Sequence, residues 1–154
     1  MASAAQAAIV VTYAGGDALR IAVRGHEMRS DQPVEDGGND TAPTPTEIFV
    51  AGLGACVAFY AERFLRRNDL STDGLRVECN HRWAENPHRI GEIELLVEAP
   101  GLTDAKRAAF SRVIDHCTIH NTLRQPPAVR MVVSSSQAAR YRGACDLIGA
   151  EPPR

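Results

Sequence analysis

The most reactive side chains in this sequence are four thiols, Cys56, Cys79, Cys117 and Cys145. Cys56 stands in "TPTEIFVAGLGACVAF", residues 44–59, an almost wholly apolar run. As a thiolate it would be a nucleophile; as a thiol it would be a small packing residue. A free thiol, with a pKa of about 8.5, is only slightly ionised at neutral pH, and a value about two lower would make it mostly thiolate. Burial pushes the wrong way. The helix dipole gives no rescue, because Cys56 lies eleven residues past Pro45, ~16 Å along the axis, and the dipole acts only within the first turn. A reactive Cys56 therefore needs a cation brought to it. Its helical neighbours Phe49, Leu53, Phe59 and Tyr60 make an apolar wall suited to the alkyl or aryl part of a substrate. On these grounds alone, packing sulfur and nucleophile both stay open.

Other constellations carry less chemistry. His116, Cys117 and His120 stand at i, i+1 and i+4, but only two of them share a helix face and no further ligand is specified, so no metal is expected. The two histidines serve equally well as caps of a helix C-terminus or as supports for Asn121. Cys79 alternates with apolar neighbours and reads as core, and Cys145 falls in the tail. The "GLGA" at 52–55 lies inside a helix rather than ahead of one, which makes it a packing pair of glycines and not a phosphate loop.

The elements that must hold these residues follow from periodicity. "AAIVVTY" (7–13) and "LRIAVR" (19–24) flank Gly15-Gly16 and are expected to pair as a hairpin. "HEMRSD" (26–31) is a third short strand, and the Pro-, Gly- and Asp-rich stretch after it reads as a mobile loop. Thr44, Pro45 and Glu47 spell a capping box with proline at the first helical position, so a helix starts near Pro45. It is apolar nearly all round and must be covered on several sides. Leu75 to Trp83 and Ile93 to Val97 alternate as half-buried strands. A second helix is expected after Thr103, with Phe110, Val113, Ile114 and Cys117 on one buried stripe. "AVRMVVSS" (128–135) reads as a last strand, and residues 137–154 show no strong period.

Length and charge bound the rest. A chain of 154 residues supports one domain with one core. Seventeen Lys plus Arg against nineteen Asp plus Glu, spread along the chain, argue against nucleic acid as a partner. The apolar run Ile48 to Ala61 is about fourteen residues against the ~20 that span a bilayer, so a buried helix of a soluble protein is expected and no membrane contact. The N-terminus lacks a signal-type pattern, which points to a reducing cytoplasm and free thiols.

Two motifs carry a family resemblance. "DQPVEDGGNDTAPTPTEIFVAGLGAC" (31–56) and, 61 positions after its cysteine, "DHCTIHNTL" (115–123), with the short strand beyond, resemble the OsmC/Ohr family of osmotically inducible and organic hydroperoxide resistance proteins, most of all its OsmC-like branch. The resemblance covers roughly residues 7–134 of a single 1–154 domain. It implies an α+β fold, with curved antiparallel sheets packed around two central helices, and an intertwined homodimer with the cysteine pair near the subunit boundary. It also implies cofactor-free thiol peroxidase chemistry on organic hydroperoxides: Cys56 attacks the terminal oxygen, and its sulfenic acid condenses with Cys117. A dithiol or protein-bound lipoyl group would recharge the pair. In the hydroperoxide reductases of the family an arginine follows the hairpin Gly-Gly, and a glutamate stands ten residues before the cysteine; here those places hold Asp17 and Thr46. Glu47, one position later, and Arg29, or after it Arg24, are the remaining candidates for these roles, while Glu47 is also accounted for by the cap. Asp31 either holds an arginine or shapes its turn. Thr118 stands where the family has proline. The departures favour a rival reading, a small hydrophobic-molecule binding protein without efficient peroxidase turnover.

Overall fold

A computed structural model describes residues 8–135; Cys145 and the tail from residue 137 lie outside the described residues. The chain is α+β. Strands β1 (Ile9–Gly15), β2 (Ala18–Val23) and β3 (His26–Ser30) form one antiparallel sheet in chain order. The expected hairpin is there, in register from Ile9 opposite Val23 to Tyr13 opposite Leu19. Gly15 and Gly16, with φ of 104° and 59°, turn the chain in a conformation that side chains resist. Among the described residues this sheet makes few contacts with the other helices and strands, and Ile9, Val10, Val11 and Tyr13 of β1 are each more than half exposed.

The loop from β3 to the first helix has its own anchor rather than being loose. Buried Asp31 accepts hydrogen bonds from Gln32 N at 2.8 Å, Thr41 N at 3.1 Å and Thr41 Oγ1 at 2.6 Å. The Thr41 hydroxyl first, then its N–H, hold the Asp31 carboxyl below its ordinary pKa. Asp31 therefore shapes the turn.

Helix α1 runs Pro45–Arg67 and starts as the sequence spells it. Thr44 Oγ1 accepts from Glu47 N at 3.1 Å and Glu47 Oε2 accepts from Thr44 N at 2.8 Å. At 23 residues α1 is long and apolar enough to cross a bilayer by length and composition alone; here its buried stripe Val50, Leu53, Gly54, Val57, Ala61 and Leu65 lies on a second sheet and against the later helices. That sheet is the antiparallel pair β4 (Arg76–Ala84) and β5 (Arg89–Glu98). Val77, Cys79 and His81 stand opposite Val97, Leu95 and Ile93, so the alternation delivers one apolar face to α1.

Two expectations need correction. The second helix is not continuous: α2 (Asp104–Asp115) ends at His116, and α3 (Thr118–Arg124) starts anew with Cys117 as its N-cap. Thr103 is the N-cap residue of α2 but makes no side-chain cap bond. The expected last strand does not form; residues 126–134 take no regular element, and Val129, Met131, Val132 and Val133 are 84–96 % exposed. Strand propensity needs an edge to pair with, and among the described residues none receives the segment.

Candidate active site

Cys56 and Cys117 come together. Cys117 is completely buried with Leu53 and Val57, and Cys56, half-buried, packs against that cluster beside Tyr60, Ile114 and Ile119. Both are free thiols. The break between α2 and α3 creates this arrangement. Cys117 adopts an extended conformation at the head of α3, and its sulfur accepts the His120 backbone N–H at 3.4 Å. Gly52, four residues before Cys56, faces Ile119 of α3, whose Cδ1 lies 4.0 Å from where a Cβ would stand. Burial pushes the Cys117 thiol up, the His120 N–H draws it part of the way back, and a hydrogen bond to Cys56 and the charge of an ionised Cys56 push it up again. Charge is thus disfavoured on Cys117, with burial the leading cause.

The helix separates the other assigned residues. Glu47 is nine residues before Cys56, which is about 900° of rotation and so the opposite side of α1. There it closes the capping box and lines a groove of about 710 Å³ with Val50, Ala51, Cys79 and His81. Burial, reinforced by the Glu78 charge, raises the Cys79 thiol. This groove is therefore on the other face from Cys56. Arg29 lies opposite Arg20 in the first sheet, and Arg24 sits in the turn between β2 and β3 with φ of 55°. Among the described residues, neither hydrogen-bonds to Cys56 or Cys117. The apolar wall also divides. Phe49 and Leu53 line a groove of about 680 Å³ with Ile90, Ile93, Leu95, His120 and Leu123, whereas Phe59 and Tyr60 pack edge to face with ring centres 5.7 Å apart.

Three features escaped the sequence reading. Arg63 lies seven residues after Cys56, about 700° on and hence on the same stripe, with its guanidinium 5.2 Å above the Phe59 ring centre. Helical spacing could have found it. The Tyr60 hydroxyl hydrogen-bonds Thr118 Oγ1 at 3.1 Å, a contact across 58 residues with no local signal. Asp115 gathers Arg124 at 2.8 and 2.9 Å and His120 at 3.5 Å, and the Arg124 hydrogen bond leads in lowering its pKa. His116 Nδ1 reaches the Arg112 carbonyl at 2.8 Å and caps α2, and Asn121 Nδ2 donates to the His116 carbonyl at 3.1 Å.

Comparison with known proteins places this geometry in a lineage. The fold is similar to that of a Psychrobacter arcticus protein named for osmotic stress induction and a detoxification response, at TM-score 0.69 and 20% identity over 79% of this chain and 89% of that one. It is similar to an organic hydroperoxide resistance protein OsmC of Legionella pneumophila, at TM-score 0.59 and 19% identity over 76% and 89%. An OsmC like protein from Mycoplasma pneumoniae aligns at TM-score 0.65 and 18% identity over 77% and 87%. No curated protein matches the sequence. Residues 37–132 match the family model described as OsmC-like protein, a span holding α1, both β4 and β5, and both cysteines of the pair. The chain belongs to the OsmC-like protein family.

Proposed function

We propose that this protein is a thiol-dependent peroxidase for organic hydroperoxides, with Cys56 as nucleophile and Cys117 as resolving thiol. The observation that carries the reading is the meeting of the two sulfurs in one apolar cluster, with charge disfavoured on Cys117. The Cys56 thiolate attacks the terminal oxygen of ROOH and the O–O bond breaks; RO⁻ leaves and takes a proton to become the alcohol. Cys56 is now a sulfenic acid. The Cys117 thiol gives up its proton as the S–S bond forms, and water departs. A dithiol then returns two electrons by exchange. The name of the Legionella neighbour, an organic hydroperoxide resistance protein, is consistent with this substrate class.

The working form in this proposal is a homodimer. The exposed apolar residues of β1 and the thin contact between the first sheet and the other described elements call for a covering surface, and a second copy supplies it. The cation that Cys56 needs is then Arg63 on its own stripe or Arg29 of the second copy.

A dithiol-coupled assay with cumene hydroperoxide tests the proposal: consumption abolished by Cys56→Ser supports it, and no consumption by the wild-type protein overturns it. Mass spectrometry after one equivalent of oxidant then checks Cys117, which requires a two-hydrogen loss mapped to the 56 and 117 peptides; overoxidised Cys56 alone removes Cys117 from the role. The rival reading, a small hydrophobic-molecule binder without turnover, is favoured by one observation: among the described residues no cationic side chain hydrogen-bonds Cys56. Tight binding of an apolar ligand together with an inert Cys56 would establish it.

A further inference from the structure

The two cysteines sit on separate helices, and the hydrogen bond between Tyr60 and Thr118 joins those helices next to both. Tyr60 is one turn beyond Cys56 on the same stripe of α1, and Thr118 directly follows Cys117. Their hydroxyl oxygens are 3.1 Å apart. We infer that this pair is a positioning clasp that holds Cys117 against Cys56 for disulfide formation. The inference rests on the redox pairing proposed above.

The physical need is plain. A disulfide requires its two Cβ atoms within about 4.5 Å and a narrow range of torsion. Helix α3 has seven residues, too few to be stable without tertiary support. Its first turn is tied at two points: the Cys117 sulfur takes the His120 N–H, and Thr118 takes Tyr60. The first tie weakens when Cys117 becomes half of a disulfide, because the sulfur loses acceptor strength. The second does not involve the sulfur and survives oxidation. A proline after the second cysteine, as in the family pattern, has no hydroxyl, so the clasp is a property of this chain. Tyr60 and Thr118 act through the cysteines and are positioning residues.

The test measures how readily the pair closes, apart from peroxide chemistry. Equilibration with glutathione (protein dithiol plus oxidised glutathione giving protein disulfide plus two reduced glutathiones) yields an effective concentration for Cys56 and Cys117. Tyr60→Phe and Thr118→Val each lower it by about three- to tenfold, the worth of one neutral hydrogen bond. The double variant falls no further than either single one, and Thr118→Ser restores the wild-type value. With rising hydroperoxide, Thr118→Val forms sulfenic acid at the wild-type rate but partitions more to sulfinic acid, since resolution is slowed. A lowered melting temperature with an unchanged effective concentration and unchanged partitioning would overturn the clasp and leave it a structural contact. If wild-type protein ignores hydroperoxide yet the variants still lower the glutathione value, the peroxidase reading fails and the clasp stands.

Discussion

Gly54 offers the sharpest test of how α1 is seated. It is a buried helical residue, and a Cβ there would run into the Cys79 sulfur of β4. Two effects oppose each other in Gly54→Ala. Alanine improves the helix interior by about 1 kcal/mol, whereas forcing a methyl into a filled contact costs about 1–3 kcal/mol. The clash should win, for a net loss of about 1 kcal/mol and a melting point lower by about 2–4 °C at this chain length. Removing the obstacle reverses the sign. In a Cys79→Ala background the next atom is Val77 Cγ1 at 3.9 Å, an ordinary contact, so Gly54→Ala then stabilises by up to about 1 kcal/mol. Urea unfolding of the four proteins reads the cycle, with a coupling of about 1–3 kcal/mol between the two sites. If Gly54→Ala stabilises the wild-type background, Cys79 swings aside at no cost and close packing is not why glycine stands there.

Other outcomes follow from the same contacts. Because the Cys117 pKa is raised in the folded protein, its stabilising effect is complete below the free-thiol value of about 8.5 and is lost as pH climbs through the folded value, since the unfolded chain ionises first; denaturation of reduced protein from pH 7 upward should show an alkaline decline that Cys117→Ala flattens. Asp31 runs the other way: its lowered pKa stabilises above about pH 4 and the benefit disappears as pH falls through the folded value, so the gap in melting temperature between wild type and Asp31→Asn should close in acid. Thr44→Ala opens the capping box and should cost about 1 kcal/mol by chemical denaturation.

Much of this architecture could be read from local patterns. The hairpin turn, the Thr44–Pro45–Glu47 start of α1 and the alternation of β4 and β5 each depend on neighbours in sequence, and each is where periodicity puts it. The break before α3 could not be read the same way. Phe110, Val113, Ile114 and Cys117 keep helical spacing straight through it, no Gly or Pro marks the stop, and cysteine is not among the usual capping residues. Only the tertiary requirement, a sulfur pointed at α1, explains why the chain turns extended at Cys117. The segment 128–133 fails for the complementary reason: its residues suit a strand, but pairing depends on an edge elsewhere.

The site shows the same division between what spacing decides and what packing decides. Helix arithmetic alone puts Glu47 behind α1 and Arg63 on the stripe of Cys56, two turns further on; the structure has Glu47 in the cap and the groove toward β4 and Arg63 over Phe59. A motif read as a string of letters brings Glu47 near the cysteine because nine positions looks close to ten; on a helix that single step turns the side chain by about 100°. Within this chain the Glu47 carboxylate is engaged in the capping box, whereas Arg63, on the stripe of Cys56, rests on the Phe59 ring, a support electrostatic in kind and worth about 0.5–1 kcal/mol where solvent reaches it.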